Sequence, residues 1–195
     1  MPATPELITA FVTLFVVIDP IGLAPLFVAL TQGMAPRARR IIALRSCLIA
    51  VGLLTVFGLA GEAILEFVGI SMPAFRIAGG ILLFLTALDM LFERRKKRRE
   101  DQARDSEDDP EDDPCVFPLA TPLIAGPGAL ATMILLTGDA QEGWITIAAM
   151  HGVMIAVILV VLAFFLAGGL LERALGPTGI NVATRLLGML LAALS

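Results

Sequence analysis

Two breaks interrupt long apolar runs at matching places in the chain: Asp19-Pro20-Ile21-Gly22, with Pro25 close behind, and Ala125-Gly126-Pro127-Gly128. Proline removes a backbone donor, and glycine removes the steric barrier that keeps a helix regular. A membrane-spanning helix broken at mid-depth exposes N–H and C=O groups that hydrocarbon cannot satisfy, so the break must be buried in protein or face a watery cavity. Broken spans in corresponding positions of two halves point to the substrate site of a transporter.

The premise that these runs span a membrane rests on composition. Of the 195 residues 57% are hydrophobic and 16% charged, and the mean hydropathy is +0.89. A soluble domain is about half apolar and about a quarter charged. Of the 32 charged residues, 17 lie between Glu93 and Pro114, which leaves long stretches nearly free of charge. The net charge of −4 reflects that one loop and implies no nucleic-acid partner. Cys47 and Cys115, one in an apolar run and one beside the acidic loop, suggest neither a disulfide framework nor a metal ribbon. The first run lacks a basic n-region and an A-x-A site, and reads as a span, not a cleaved leader.

About 20 apolar residues are needed to cross roughly 30 Å of hydrocarbon. Six runs qualify as candidates: Leu7–Thr31, Ile41–Ala60, Ile70–Phe92, Val116–Thr137, Trp144–Leu171 and Ile180–Leu194. The last is short and still apolar where the sequence stops, so it reads as a helix cut short. Basic residues cluster in the first loop (Arg37, Arg39, Arg40), the third (Arg94 to Arg99) and the fifth (Arg173). The positive-inside rule then makes these loops cytoplasmic and puts both termini outside. The run from Glu93 to Pro114 turns from basic to acidic with no apolar period, which reads as a disordered linker with its basic half setting topology. Binding of anionic membrane lipid is the alternative use of that patch.

The halves resemble each other. Gly69-Ile70-Ser71 precedes Arg76-Ile77-Ala78-Gly79, as Gly179-Ile180-Asn181 precedes Arg185-Leu186-Leu187-Gly188. Arg76 to Arg185 is an offset of 109 and Pro20 to Pro127 one of 107; Thr13 and Thr121 lie seven and six residues before those prolines. With three spans per half, the second half enters the membrane upside down. The fold class is therefore an all-α integral membrane protein: an N-terminal repeat over 1–92, a charged cytoplasmic linker over 93–115, and an inverted C-terminal repeat over 116–195, with spans one and four broken at mid-membrane.

Asp19 lies about 12 residues into the first run, roughly 18 Å deep at 1.5 Å per residue. An ionisable group there is a functional-site hypothesis, as partner to a substrate ammonium, a coupling cation or a proton. It can also simply cap the helix that restarts at Pro20. Gly22, Gly126 and Gly128 let a ligand approach the backbone, and the restarted helices at Pro20 and Pro127 present a positive dipole end to a carboxylate. A plain proline kink is the alternative. The candidate substrate-binding set is thus Thr13, Asp19, Pro20, Gly22, Thr121, Gly126, Pro127 and Gly128. Arg76 and Arg185 each sit about two turns inside a span, either snorkelling or holding the freed carbonyls of a broken helix as gate struts. Glu62 and Glu66 read as interfacial, Asp89 as facing its basic neighbours, and His151 as a polar contact inside the bundle. Gly52, Gly58, Gly61, Gly79, Gly80, Gly168 and Gly169 suit close helix packing.

Three strings together resemble the MarC family of inner-membrane proteins, also called the neutral amino-acid transporter family: Val17-Ile18-Asp19-Pro20-Ile21-Gly22; Gly69-Ile70-Ser71-Met72-Pro73 through Arg76-Ile77-Ala78-Gly79-Gly80; and Pro118-Leu119-Ala120-Thr121-Pro122 through Ala125-Gly126-Pro127-Gly128-Ala129. The resemblance covers nearly the whole chain. It implies six spans with both termini outside, kinship with LysE-type exporters and, for some members, transport of glycine or other small neutral amino acids.

The expected function is secondary transport of a small neutral amino acid across a bacterial inner membrane, coupled to a proton or sodium ion. No Walker A motif is present, so no ATP hydrolysis is expected. An intramembrane enzyme would need a convergent set such as paired aspartates, a Ser–His pair or H-E-x-x-H, and none is visible; no catalytic residue and no cofactor is expected. Export of another small solute is a further alternative. A metal ion as cargo is disfavoured by one histidine and few membrane cysteines, and no metal site is expected. The oligomeric state is not written in the sequence.

Overall fold

A computed structural model describes residues 2–105, 115–138 and 143–195. Among the described residues there are seven helices: α1 (Thr4–Ile18), α2 (Pro20–Leu30), α3 (Pro36–Val68), α4 (Met72–Leu91), α5 (Arg94–Asp105), α6 (Pro127–Gly138) and α7 (Trp144–Leu194), with an irregular helical segment, Cys115–Ile124, before α6. No strand occurs among the described residues. Among the described residues five helical stretches are long and apolar enough to cross a membrane: Thr4–Leu30, Pro36–Val68, Met72–Leu91, Trp144–Leu170 and Ala174–Leu194. Counted as one span, Cys115–Ile124 with Pro127–Gly138 is the sixth, bent by 58°. The chain is an all-α integral membrane protein.

Local chemistry sets the helix ends. Ser71 accepts from the Ala74 N–H at the start of α4, and Gly69 closes α3 in the left-handed region at φ 81°. α7 runs on where a loop was expected between the fifth and sixth runs, and takes up the turn as a kink at Gly176 (φ 61°, ψ 175°) just before Pro177. Within Cys115–Ile124, Phe117 and Thr121 are extended, as residues before proline are driven to be.

α7 packs along α1, α2, α3 and α4, while α3 packs on α6 and on the segment before it. The contiguous core contains Leu14, Ile18, Leu23, Phe27, Leu54, Met133, Met154 and Phe165. Phe27 and Phe165 stack 4.3 Å apart, and the Arg39 guanidinium lies 5.2 Å over Phe27, joining α2, α3 and α7. Glycine thins the helices where they meet: a Cβ on Gly61 would stand 2.5 Å from Ile134. Large apolar side chains such as Phe67, Ile77, Leu159 and Leu170 point outward, as a lipid-facing surface requires. His151 bonds the Ile147 carbonyl one turn back (2.8 Å) and faces Gly58, a polar contact inside the bundle.

The linker departs from its expectation. Arg94–Asp105 is helical, not disordered, because its side chains find partners on the membrane helices. The acidic remainder, 106–114, lies outside the described residues.

Candidate functional site

Asp19 belongs to two helices at once. Its N–H bonds the Phe15 carbonyl (2.8 Å) and its carbonyl accepts from Leu23 (3.0 Å), so it closes α1 and opens α2. Its backbone is left-handed, φ 58° and ψ 67°. That region is uncommon for a side-chain-bearing residue and easiest for Asp and Asn. Pro20 follows as the first residue of α2, where its missing N–H costs nothing, and the Asp19 Oδ1 accepts from the Gly22 N–H at 3.1 Å. The break is a single residue wide; Pro20 and Gly22 are helical.

Such a junction frees carbonyls at the end of α1, since the N–H groups that would have met them now start α2. Two arginines of α5 reach them. The Arg99 Nη2 donates to the Ile18 carbonyl at 2.9 Å, and its Nη1 to Asp19 Oδ2 at 3.0 Å. The Arg95 Nη2 donates to the Val17 carbonyl, and its Nη1 to the Met90 sulfur at 3.1 Å. Arg95, Arg99 and Asp19 are 8%, 6% and 1% exposed, so these contacts form with little solvent screening. Burial, with Arg99 alongside, pushes the Arg95 guanidinium down to about 9, against the pull of Asp19. Burial lowers Arg99 as well, opposed by its bond to Asp19. Arg95 stays charged at neutral pH. Two guanidiniums against one carboxylate leave an excess positive charge, which the C-terminus of α1, worth roughly half a negative charge, partly offsets. Further out Asp89 pairs with Arg98 at 2.7 Å, in keeping with its expected basic neighbours.

The second break lies against the first. The backbone bends at Ala125 and Gly126, and α6 starts at Pro127, so Gly128 is helical. A Cβ on Gly126 would stand 2.5 Å from the Pro122 carbonyl oxygen, which only glycine accommodates. A Cβ on Gly128 would stand 3.1 Å from Val17, whose carbonyl Arg95 holds. The two broken spans therefore touch at their breaks.

Two cavities adjoin this contact, and Asp89, Arg95 and Arg99 line both. One, of about 280 Å³, includes Asp19, Gly22 and Pro25 and reaches Asn181 and Thr184 on α7. The other, of about 230 Å³, includes Val17, Thr86, Gly126, Pro127, Gly128 and Ala129. Both are small beside the roughly 300–1,000 Å³ that holds a drug-sized molecule.

Asp19 and Gly22 thus line one cavity and Gly126, Pro127 and Gly128 the other, whereas Thr13, Pro20 and Thr121 line neither. Thr13 lies on α1 before the break, and Thr121 is exposed in an extended stretch. Arg76 is exposed, and Arg185 pairs with Glu93 at 2.7 Å on the surface. At the Asp19 break the freed carbonyls are held by Arg95 and Arg99 of α5. Their signal in the sequence is the i, i+4 spacing, which sets both side chains on one helix face.

A family profile described as "MarC family integral membrane protein" matches residues 4–195. The chain is 34% identical to the UPF0056 membrane protein MJ1677 of Methanocaldococcus jannaschii over 96% of its own length and 91% of that protein. It is 34% identical to the UPF0056 inner membrane protein YhgN of Escherichia coli K12, over 95% and 90% of the two chains. A UPF0056 membrane protein of Aquifex aeolicus is 33% identical, over 96% and 87%. No solved structure matches.

Proposed function

The chain belongs to the MarC family of integral membrane proteins, and on that premise we infer that it is a secondary transporter of small neutral amino acids. The observation that carries this reading is the contact between the two broken spans at Val17 and Gly128, with a small cavity on either side of one buried charge cluster. Discontinuous spans that meet in this way form the substrate sites of inverted-repeat transporters.

A zwitterion suits the polarity of the two helix ends. The N-terminus of α6, opened by Gly126, offers backbone N–H groups and a positive dipole end to a carboxylate. The C-terminus of α1 and Asp19 offer oxygens to an ammonium. Bringing both charges in together avoids stranding either in a medium of low dielectric. The two cavities, of about 280 and 230 Å³, fall below the usual range of ligand sites, and Gly22, Gly126, Gly128 and Ala129 give them short-side-chain linings. Glycine and alanine are therefore preferred over leucine, phenylalanine and lysine.

The protein works without a covalent step, alternating access to the paired breaks and driven by a proton or sodium gradient. It sits in a bacterial inner membrane with both termini outside, on the strength of the basic loops. Uptake of a panel of labelled amino acids into proteoliposomes tests this reading. Saturable uptake of glycine and alanine that depends on an imposed proton or sodium gradient is the expected result. Preference for large or cationic amino acids, or no amino-acid flux, refutes it. Labelling of cysteines placed at Arg39 and in the acidic loop from the cytoplasmic side alone is the expected topology.

A further inference from the structure

We propose that the Val17 carbonyl, the Ile18 carbonyl and Asp19 Oδ2 form a subsite for a primary ammonium, which α5 fills with the guanidiniums of Arg95 and Arg99 as a tethered competitor. Three acceptors converge at the α1–α2 junction, and every one is taken by an α5 arginine. Each Asp19 oxygen already has a partner, Oδ1 the Gly22 N–H and Oδ2 the Arg99 guanidinium. A substrate ammonium meets the uncapped oxygen of this carboxylate without a competing guanidinium only if Arg99 withdraws. A primary ammonium carries three N–H donors and one positive charge, the number of acceptors that withdrawal exposes. The proposal rests on the transporter reading for the identity of its natural ligand, and on geometry alone for the exchange.

The composition of α5 makes the exchange reversible. Its twelve residues, Arg94 to Asp105, include one apolar side chain, Ala103. Apolar burial therefore contributes almost nothing to its docking, and a helix of this length is marginal by itself in water. Among the described side chains, charge-assisted bonds hold it: Arg95 and Arg99 at the break, and Arg98 to Asp89. A cation that supplies equivalent donors displaces the helix at little net cost, because the arginines regain hydration as they leave. Arg95, Lys96 and Arg99 also line the 280 Å³ cavity, so withdrawing α5 enlarges the space into which the ligand comes. The docked form is a self-occupied, closed state, and its opening is coupled to the arrival of an ammonium.

The test uses the full chain in nanodiscs of zwitterionic lipid, with amide hydrogen exchange across α5 as the readout. Methylammonium, tetramethylammonium and glycine are compared at equal ionic strength. Methylammonium should speed α5 exchange about tenfold or more over tetramethylammonium, which has the charge but no N–H donor, and glycine should act at lower concentration. By the same logic Arg95→Gln/Arg99→Gln should bind glycine about a hundredfold more tightly, the amount by which a docked competitor lowers the binding-competent fraction. Equal effects of the two ammonium ions overturn the proposal. So does weaker glycine binding by a folded Arg95→Gln/Arg99→Gln protein, which would make the arginines direct ligands. If methylammonium releases α5 and no amino acid does, the subsite stands and the amino-acid reading falls. If glycine is taken up while α5 stays protected, the transporter stands and the tethered competitor falls. The wild-type comparison decides the matter even if the double variant does not fold.

Discussion

Replacing Asp19 by asparagine separates the two jobs of that side chain. The carboxylate accepts from Gly22 through one oxygen and from Arg99 through the other, at 3.1 and 3.0 Å. Asparagine has a single acceptor oxygen, so it keeps the cap or the arginine contact but not both. The cap is worth about 1 kcal/mol. Removing one partner of a buried ion pair costs roughly 3–5 kcal/mol, because the other charge is left behind, and Arg99 is 6% exposed. Asp19→Asn should therefore weaken α5 docking by about 3 kcal/mol, and Asp19→Ala by about 1 kcal/mol more. Since each 1.4 kcal/mol is tenfold, α5 amides in Asp19→Asn should exchange about a hundredfold faster than wild type. Arg99→Gln should behave alike, leaving the carboxylate with only the Gly22 N–H. In Asp19→Asn/Arg99→Gln both charges are gone, and the loss should fall short of the sum of the single losses by about 2 kcal/mol, within the usual range for contacting pairs. Exchange measured on all four proteins gives this coupling directly. Strict additivity would show that the two side chains do not depend on each other, and would refute the argument.

A Cβ on Gly22 collides with the Asp19 carboxylate and comes within 3.1 Å of the Arg99 guanidinium. Gly22→Ala should thus speed α5 exchange as Arg99→Gln does, through overpacking worth about 1–3 kcal/mol. Gly61→Ala should lower the melting temperature in detergent, and Ile134→Ala should restore part of the loss, since the added methyl meets Ile134. Arg185→Gln should change stability by less than about 1 kcal/mol, because its pair with Glu93 is half exposed; a large loss would return Arg185 to the role of strut. Imaged by electron cryomicroscopy in nanodiscs, residues 7–92 should superpose on 116–195 by a rotation of about 180° around an axis in the membrane plane, with Arg76 falling on Arg185. An axis along the membrane normal would refute the inverted repeat.

Much of this architecture is legible in the sequence because the bilayer leaves few choices. Long uncharged runs give the spans, and Asp19-Pro20 with Gly126-Pro127 gives the breaks, since proline and glycine act on the backbone wherever they stand. The cap from Asp19 to Gly22 is local and was equally readable. The occupant of the break was not. Arg99 is 80 residues from Asp19, and six consecutive basic residues satisfy the positive-inside rule whether or not two of them turn inward. A run of charge with no apolar period carries no sign of burial, because what compensates Arg95 and Arg99 is carbonyl and carboxylate oxygen on another helix. The symmetric pair Arg76 and Arg185 is the opposite case. Their matched positions are visible in the sequence, while Arg185's surface partner, Glu93, is not.

The central claim is that both breaks serve one ligand, and substrate protection tests it most directly. Pro25→Cys lines the cavity beside Asp19, and Ala129→Cys the cavity beside Gly126; Cys47 and Cys115 are buried and give little background. Alkylation of each variant is followed in proteoliposomes as glycine is raised. One shared site predicts that glycine protects both cysteines with the same half-protecting concentration. Protection of one cysteine alone, or half-protecting concentrations that differ severalfold, would contradict it.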